Sequence, residues 1–294
     1  MVFTKTLTAL ALALPAQAVI PDIAGFTLTW GDDFTGAAGA QPDPTNWVFT
    51  TGTSYPGGAP NFGTGEIQTY TNAVDNVQLS GTDTLKITAL KDATGAWTSA
   101  RLETNRTDFA APVGGKMRIQ ASISLPDVGT AGVGYWPAFW ALGSTFRGNY
   151  QNWPVAGELD IMENVNAVNE VWGTMHCDVS PGGACHEQDG LSGNLTCAGT
   201  PCQGNFHKYT LEVDRTAAPE AVRWFLDDTL FWQLTDADVP AAVWTETIGT
   251  SYFVLLNIAI GGSFPDKNFG SPTPLADTVS GGTMEVEYVA VYNA

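Results

Sequence analysis

The stretch Met117-Arg-Ile-Gln-Ala-Ser-Ile-Ser-Leu125 alternates apolar and polar residues without a break. Successive side chains of a β-strand point to opposite faces, so this period of two sends the apolar set toward a core and the polar set toward water. The stretch therefore predicts a long strand in a sheet that is buried on one face.

Further strands are predicted along the chain. Residues 85–89 repeat the alternation, and the runs Val222–Leu226 and Thr229–Trp232 flank the turn pair Asp227-Asp228, which predicts a hairpin. The run Tyr252–Ile260 is apolar at nearly every position, which is typical of a central strand covered by sheets on both faces. Near the end of the chain, we expect one face to be shared by Val286, Tyr288, Ala290 and Tyr292.

These strands indicate one all-β domain. Hydrophobic residues make up 44% of the 294-residue chain, which includes 10 Trp, and such a chain can bury a large core. No linker, internal repeat or shift in composition divides residues 19–294. The sequence therefore predicts a single antiparallel sandwich of two sheets over residues 19–294.

Residues 1–18 are a segment of another kind. Lys5 precedes an apolar stretch from Thr6 to Leu14, and Pro15-Ala-Gln-Ala18 supplies small residues for cleavage, which together predict a secretory signal peptide. The alternative, a membrane anchor, requires about 20 apolar residues. We therefore expect a secreted, extracellular protein with no membrane partner.

Two further features fit an exported chain. Four cysteines, an even number, are typical of disulfides in such a protein: Cys177, Cys185, Cys197 and Cys202. Their three pairings stay open, although joining the first to the second and the third to the fourth requires the least loop closure. A zinc site formed with the adjacent histidines is the alternative, but no C-x2-C pair is present. Acceptor sequons at Asn105 and Asn194 predict glycosylation in surface loops.

The charge balance limits the partners. Lys and Arg number 12 against 30 Asp and Glu, which gives a formal net charge of −18. Phosphate binding relies on clustered Lys and Arg, so this negative field repels nucleic acid and anionic surfaces. We expect a monomer that recognises a neutral molecule.

The run Glu158-Leu-Asp-Ile-Met-Glu163 places three carboxyl groups inside an apolar strand. With a period of two, Glu158 and Asp160 share one face and Glu163 falls on the other. A β-bulge at Ile161 or Met162 absorbs one residue and returns Glu163 to the face of Glu158. We therefore expect all three acids on one surface.

Such closely spaced acids raise the pKa of at least one carboxyl group, and this cost suggests a catalytic use. Glycoside hydrolysis needs one carboxylate to attack the anomeric carbon and one carboxylic acid to protonate the leaving oxygen. A structural ion cluster or a calcium site is the alternative, because carboxylates supply oxygen ligands. Other chemistries lack their minimal parts, since the chain has no G-x-S-x-G elbow, phosphate-binding glycine loop or H-E-x-x-H pair.

Tryptophans cluster in the sequence around these acids. Trp136 and Trp140 lie upstream in Trp-Pro-Ala-Phe-Trp, and Trp153 closely precedes the acid strand. Sugars stack their C–H faces on indole rings, so an aromatic cleft with central acids suits a neutral polysaccharide. Trp224 and Trp232, in the predicted hairpin, are expected in the core instead.

Together these residues resemble glycoside hydrolase family 16 in its laminarinase-type form. The run 158–163 is similar to the family signature E-[IL]-D-[IV]-M-E, and supporting motifs follow in the family's order over residues 26–292. These motifs are Gly114–Ile119, Tyr135–Gly143, Trp172–Cys177, His207–Glu212, Leu256–Gly262 and Glu287–Tyr292. The resemblance implies a concanavalin A-like β-jelly-roll with a concave cleft, which cleaves internal bonds of β-1,3-glucan or mixed-linkage β-glucan.

The resemblance also implies roles for single residues. Glu158 matches the nucleophile, Glu163 the general acid and base, and Asp160 the residue that hydrogen-bonds the nucleophile. Positions that contact the substrate are matched by Trp136, Trp140, Trp153, His176 and Arg101. No cofactor is implied, and Glu287 replaces an Asp that helps to bind a structural calcium in many relatives, so we expect no metal.

Three other interpretations stay open. Endo-β-1,3-galactanases and wall-glucan transglycosylases of the same family share the three acids, whereas a non-catalytic lectin uses a similar sandwich without them. The cysteine-rich segment 178–203 is expected to border the cleft and to determine the choice of substrate.

Overall fold

Alternating segments of the chain pair into two sheets in the computed structural model, which describes residues 19–294. The signal peptide predicted at 1–18 lies outside the described residues. The first sheet has ten strands: β1 (Thr27–Asp32), β3 (Thr69–Tyr70), β4 (Val77–Leu79), β5 (Leu85–Lys91), β6 (Trp97–Ser99), β8 (Lys116–Ser124), β13 (Phe206–Asp214), β14 (Ala221–Leu226), β15 (Thr229–Thr235) and β17 (Gly282–Asn293).

The second sheet has seven strands: β2 (Trp47–Phe49), β7 (Arg101–Thr104), β9 (Tyr135–Gly143), β10 (Glu158–Glu163), β11 (Glu170–His176), β12 (Leu191–Thr196) and β16 (Tyr252–Ile260). Its strands lie in the order β12-β11-β10-β9-β16-β7-β2, and all its neighbours are antiparallel. In the first sheet, the pairing of β3 with β6 is parallel and the other strand pairs are antiparallel. The predicted two-sheet, antiparallel-rich sandwich is confirmed.

The core lies between the two sheets. The five apolar residues that alternate over 117–125 are each at most 1% exposed, as the sequence predicted. The prediction that the polar face of this strand is open to water is wrong, because Gln120, Ser122 and Ser124 are at most 9% exposed. The five apolar residues pack in one cluster with residues of the other sheet such as Leu159, Leu256 and Ile258. Burial of this apolar surface is the main favourable contribution to the stability of such a sandwich.

The last strand, β17, corrects one prediction. The four residues expected on one face of β17 are divided by a bulge between Val286 and Tyr288. Val286 faces the core together with Val289 and Val291, whereas the outer face carries Tyr288, Ala290 and Tyr292. Residues 20–26 cover that outer face, so apolar side chains are buried on both sides of the strand.

The strand β16 coincides with the predicted run 252–260, and all its residues are buried. The expectation that sheets cover both its faces is wrong for one face. Leu256 and Ile258 join the core between the sheets, but Phe253 and Leu255 pack with Tyr55 and other residues from the loops. Loops bury this face because it belongs to the outer side of the second sheet.

Helices are a minor part of the chain over residues 19–294. Two α-helices are present there, α1 (Ala241–Ile248) and α2 (Ser263–Phe269). In that part of the chain, no helix has the length and apolarity needed to cross a bilayer. The helix α2 follows β16 and lies beside the outer face of the second sheet.

Both disulfides join near neighbours in sequence. Cys177 pairs with Cys185 and Cys197 with Cys202, which is the pairing that requires the least loop closure. The thiols are therefore not available for a zinc site. Both sequon residues, Asn105 and Asn194, are exposed, and their glycosylation stays a prediction. The expectation that both lie in loops is wrong for Asn194, which lies on β12.

Candidate active site

The strand β10 departs from regular pairing after its second acid. Asp160 lies opposite Thr174 of β11 and Glu163 lies opposite Trp172, so residues 161–162 of β10 face a single residue of β11. This is the β-bulge predicted from the sequence. It turns all three acids of the strand into one cleft, whose volume is about 1200 Å³.

A core tryptophan holds the bulge from behind. The indole N–H of Trp224 donates a hydrogen bond of 2.7 Å to the backbone carbonyl of Asp160. Gly173, on the neighbouring strand, leaves room for this ring, because a Cβ there would lie 2.3 Å from Cδ1 of Trp224. The core position of Trp224 was predicted, but its contact with the acid strand was not. Trp232, the other tryptophan predicted in the core, is only partly buried against it.

Glu163 is held at the cleft floor by two donors. The indole N–H of Trp136 donates to Oε1 at 2.8 Å, and the hydroxyl of Thr174 lies 3.5 Å from Oε2. Burial, and next the negative charge of Asp160, raise the pKa of Glu163 to about 8. This carboxyl group therefore retains its proton at neutral pH.

Glu158 lies at the other end of β10 and is partly accessible to water. The indole N–H of Trp153 donates to its Oε2 at 3.1 Å. Burial raises the pKa of Glu158, and the charge of Asp160 acts in the same direction. The positive charges of His176 and Arg101 oppose both effects, but the pKa of Glu158 still lies well above its ordinary value. The form of the site that can react is the one in which Glu158 has lost its proton and Glu163 has kept its own.

His176 connects the acids to a buried fourth carboxylate. Its Nε2 lies 3.3 Å from Oδ2 of Asp160, and its Nδ1 lies 2.8 Å from Oε2 of Glu187. Burial lowers the pKa of His176, but the nearby carboxylates of Asp160 and Glu187 outweigh this effect and hold the pKa well above its ordinary value. The other oxygen of Glu187 accepts a hydrogen bond of 2.8 Å from the backbone N–H of Cys177. Glu187 was not predicted, because its loop has no periodicity that marks a residue as buried.

Three of these residues lie close enough together to be considered as ligands of a metal ion. Ligand atoms of Glu158, Asp160 and His176 lie within 4.8 Å of one another, and over residues 19–294 this is the one such group. Nδ1 of His176 hydrogen-bonds to Glu187, whereas Nε2 only faces Oδ2 of Asp160 at 3.3 Å, and this buried oxygen has no hydrogen-bond partner in the part of the chain that the structure describes. A protonated imidazole has no lone pair for a metal, so the group fits an ion pair better than coordination. Glu287 lies elsewhere, on β17, and accepts a hydrogen bond of 2.5 Å from Ser122. The expectation that no metal is needed stays a prediction.

Partly exposed tryptophans surround the acids. The three that were predicted to contact substrate, Trp136, Trp140 and Trp153, all line the cleft. The sequence analysis missed the other aromatic residues of the lining, which are Tyr55, Phe62, Phe146, Tyr150, Trp172 and Phe264. Phe264 of α2 packs its ring edge-on against Trp136 and Trp172, with centroid distances of 5.9 and 5.4 Å. The position of Phe264 depends on how α2 docks, which no local pattern indicates.

Arg101 lies at the β7 end of the cleft and is 4% exposed. Its guanidinium carbon is 4.7 Å from the ring centroid of Trp140, 4.8 Å from that of Phe62 and 5.0 Å from that of Tyr55. It also donates a hydrogen bond of 2.6 Å to the hydroxyl of Tyr55. These contacts fix the aromatic residues at this end of the cleft, and contact with substrate stays a prediction.

The segment predicted to border the cleft does so only in part. Within 178–203, the lining residues are Ser180, Gln188, Asp189 and Ser192. The turn closed by Cys197–Cys202 lies at the far end of β11, where Asn169 accepts a hydrogen bond of 2.9 Å from Cys202. Only the part of the segment from Ser180 to Ser192 can therefore act on a ligand in the cleft.

A pair of carboxyl groups that face one cleft is the catalytic arrangement of most glycosidases. Here the pair lies among partly exposed indole rings, so the site has the features of a glycosidase that acts on polysaccharides. Comparison with known proteins agrees. Residues 69–208 match the family model described as "XgeA-like, catalytic GH16 domain". The β-glucanase of Rhodothermus marinus is 31% identical over 274 residues, which cover 90% of this chain and 84% of that protein.

The agreement extends to three dimensions. The crystal structure of an endo-1,3-β-glucanase from Streptomyces sioyaensis superposes with a TM-score of 0.91 at 49% identity, covering 94% of this chain and 99% of that chain. The chain belongs to glycoside hydrolase family 16, so the predicted family and the jelly-roll fold are confirmed. Glucan endo-1,3-β-glucosidase A1 of Niallia circulans is 28% identical over 92% of this chain, but the chain spans only 38% of that relative's length.

Proposed function

We propose that the protein hydrolyses internal β-1,3 linkages of a neutral β-glucan, with retention of configuration at the anomeric carbon. The observation that carries this proposal is the bulged strand that presents Glu158, Asp160 and Glu163 to one open cleft. The preference for β-1,3-glucan is supported by the relatives, since the Streptomyces protein is an endo-1,3-β-glucanase and the Rhodothermus protein is a β-glucanase.

In the first step, the carboxylate of Glu158 attacks the anomeric carbon and forms a glycosyl ester. The bond between this carbon and the glycosidic oxygen breaks, and the proton of Glu163 moves to the leaving oxygen. The pKa of about 8 keeps that proton on Glu163 at neutral pH. Indole N–H groups of Trp153 and Trp136 orient the two carboxyl groups.

In the second step, water attacks the same carbon and the ester bond to Glu158 breaks. Glu163, now a carboxylate, accepts a proton from this water and returns to its starting form. Esterification removes the charge of Glu158, so the pKa of Glu163 falls at the stage where it must act as a base. Two displacements restore the original configuration of the sugar.

Asp160 and His176 balance the charge around these steps. Asp160 lies between the two glutamates on the strand, and its negative charge raises the pKa of both. The protonated ring of His176, held by Glu187, offsets part of that charge. We therefore assign Asp160 to tuning the protonation of the pair.

The aromatic and uncharged polar residues of the cleft suit a chain of sugars, because aromatic rings stack on sugar faces and side chains such as Asn257, Thr174 and Ser192 can hydrogen-bond to hydroxyl groups. We also propose that the protein is exported as a monomer after cleavage behind Ala18. Sequencing the amino terminus of the secreted protein and measuring its mass in solution test both points.

Replacement of each glutamate tests the two roles. Glu158→Gln and Glu163→Gln should each lower kcat on β-1,3-glucan by several orders of magnitude while leaving the circular dichroism spectrum unchanged. With an aryl β-1,3-oligoglucoside, azide should rescue Glu158→Ala as an α-glycosyl azide and Glu163→Ala as a β-glycosyl azide, because azide replaces a different group in each. Wild-type turnover in both Gln variants would refute the proposal.

Product analysis separates the alternatives. The wild-type protein is incubated with β-1,3-glucan, mixed-linkage β-glucan and β-1,3-galactan, and products are identified by size and linkage. Release of short β-1,3-oligosaccharides is the expected result. Binding without release of reducing sugar would support a lectin, and products longer than the donor would support a transglycosylase.

A further inference from the structure

An ion pair joins two parts of the chain that line the cleft. Nζ of Lys267, on α2, lies 2.6 Å from Oδ1 of Asp189, in the loop between β11 and β12. Both residues line the same cleft as the acids. The mechanism above uses neither residue.

The two partners come from opposite walls of the cleft. The helix α2 follows the last residue of β16, at the end of the strands where Glu163 and Trp172 lie, and its Phe264 packs on Trp172. The loop 177–190 follows His176, at the opposite end of β11. The ion pair therefore connects one wall to the other across the strands.

The loop also lies close to the cleft floor at this point. A Cβ on Gly190 would be 2.5 Å from Cγ2 of Thr174 and 2.8 Å from Cε1 of His176. The backbone next to Asp189 thus lies directly against side chains of β11. Space for a sugar chain is consequently narrowed on the β12 side of the acids.

Both walls are anchored, whereas the two charged side chains are not. The amide of Asn166 donates a hydrogen bond of 3.0 Å to the carbonyl of Pro265 in α2. The disulfide Cys177–Cys185 and the hydrogen bond from Cys177 to Glu187 fix the loop. In contrast, the side chains of Lys267 and Asp189 are 66% and 67% exposed.

Building on the proposed function, we propose that the Lys267–Asp189 ion pair closes the β12 end of the cleft and limits the number of sugar units bound on that side. An exposed ion pair changes an equilibrium constant by at most about fivefold. The closure is therefore reversible, and salt weakens it because ions screen exposed charges.

Binding of oligosaccharides of increasing length tests this closure. Linear β-1,3-linked glucose oligomers of two to eight units are titrated calorimetrically into Glu158→Gln protein, which cannot turn them over. With the ion pair intact, affinity should stop rising at a certain length. In Lys267→Met or Asp189→Asn added to that background, the longest oligomers should bind at least threefold more tightly and the shortest ones equally well.

Reversal of the two charges supplies the decisive control. The double variant Lys267→Asp with Asp189→Lys re-forms the pair, so it should restore the original dependence on length. Lys208→Met removes an ion pair of the same type with Asp228, 2.5 Å long, on the first sheet, and should change nothing. High salt should move the intact protein toward the profile of Lys267→Met and leave that variant unaffected.

The outcomes distinguish this inference from the function on which it rests. Equal length profiles in the intact protein and both single variants, with glucan hydrolysis present in the wild type, would overturn the closure alone. The closure would also be overturned if the single variants bind long oligomers more tightly but the charge-reversed double variant does not return to the wild-type dependence on length. Lack of binding and of hydrolysis in every form would overturn the proposed function, and the closure with it.

Discussion

Glu163 must carry a proton when the glycosidic oxygen leaves, and its surroundings keep that proton in place. Burial is the largest cause of its pKa of about 8, and the charge of Asp160 is the next. An exposed glutamate, with a pKa near 4.3, would be almost fully ionised at neutral pH. The environment of this one side chain therefore determines the pH range in which the first step proceeds.

The pH dependence of kcat/KM should show this directly. We expect a bell-shaped profile with its alkaline limb near pH 8, where Glu163 of the free enzyme loses its proton. Asp160→Asn removes a negative charge that raises the pKa of Glu163, so the limb should move to lower pH. The pH of the alkaline limb is the informative measurement, because the maximum value of kcat/KM falls in any variant that impairs the site. An unmoved limb would contradict this account.

The same raised pKa makes stability depend on pH. Between pH 4.5 and about 8, the folded protein holds a proton on Glu163 that the unfolded chain has released, so the free energy of unfolding falls as pH rises. Glu163→Gln has no carboxyl group at this position, so its free energy of unfolding lacks this fall with rising pH. We expect its Tm to exceed that of the wild type by about 4–8 °C at pH 9, with the difference shrinking toward pH 5.

Thermal unfolding at a series of pH values measures this effect. Glu246→Gln, an exposed change on α1, serves as the matched control and should give a constant, small difference. A stabilisation of Glu163→Gln that does not grow with pH would show that the carboxyl group is not the cause.

At the scale of residues, the sequence indicated the acids but not their partners. The alternation of Glu158 and Asp160 with apolar residues is a local pattern, so it could be interpreted without a structure. Glu187 contacts His176 only because a disulfide-closed loop folds back over β11. Contacts of this kind depend on tertiary folding and leave no periodic signal in the chain.

At the scale of elements, the bulge in β10 is the feature on which catalysis depends. Trp224 donates its indole N–H to the carbonyl of Asp160, directly before the two bulged residues. Trp224→Phe keeps most of the ring volume but leaves this buried carbonyl without its donor, which costs about 1–3 kcal/mol. We expect that loss in the free energy of unfolding, together with a fall in kcat of about tenfold as the acids shift.

Trp232→Phe is the control for this change, because the buried Nε1 of Trp232 has no hydrogen-bond partner within residues 19–294. It should leave kcat unchanged, as measured with the same glucan. Equal effects of the two substitutions on kcat would mean that ring packing, and not the hydrogen bond, supports the bulge.

The two disulfides should differ in function although they close loops of similar length. Changing both cysteines of either disulfide to Ala gives the unfolded chain more conformational freedom. The free energy of unfolding should therefore fall by about 2–4 kcal/mol. Loss of Cys177–Cys185 should also lower activity at least tenfold, because this loop positions Glu187 and, through it, His176. Loss of Cys197–Cys202 should leave kcat/KM on glucan unchanged, and an equal loss in both variants would contradict this division.

Elements were predicted well where one face is core and the other is water. The strand β5 satisfies that condition, whereas β17 does not, because residues 20–26 cover its outer face. The strand β8 was recognised because its residues alternate in polarity, although both of its faces are largely buried. Apolar residues on both faces of β17 hide the bulge after Val286, so alternation alone assigned Tyr288 to the wrong side. A period of two in the sequence identifies the buried face of a strand only where one face is buried and the other is exposed to water.

At the scale of the whole molecule, the fold class followed from composition and alternation, but the cleft did not. Its floor is the outer face of β9, β10, β11 and β16, and its walls are loops and α2, which come from separate parts of the chain. Only the combination of the second sheet, the loops at residues 55–66, 146–153 and 177–190, and α2 creates the enclosed space. A resemblance to a known family was therefore the route by which the sequence indicated a cleft.

The net charge of the molecule predicts which polymers this cleft excludes. With 30 acidic against 12 basic residues, the protein should repel an anionic polysaccharide and leave a neutral one unaffected. We expect kcat/KM for lightly carboxymethylated β-1,3-glucan to be at least tenfold below that for the neutral polymer at low salt. The gap should narrow at high salt, because the Debye length falls from about 30 Å at 0.01 M to about 3 Å at 1 M.

Kinetics on both polymers over that range measure the effect, and the Lys267→Met variant separates it from any salt sensitivity of the Lys267–Asp189 pair. A gap that salt does not narrow would place the discrimination in the fit of the substituents and not in the charge of the protein.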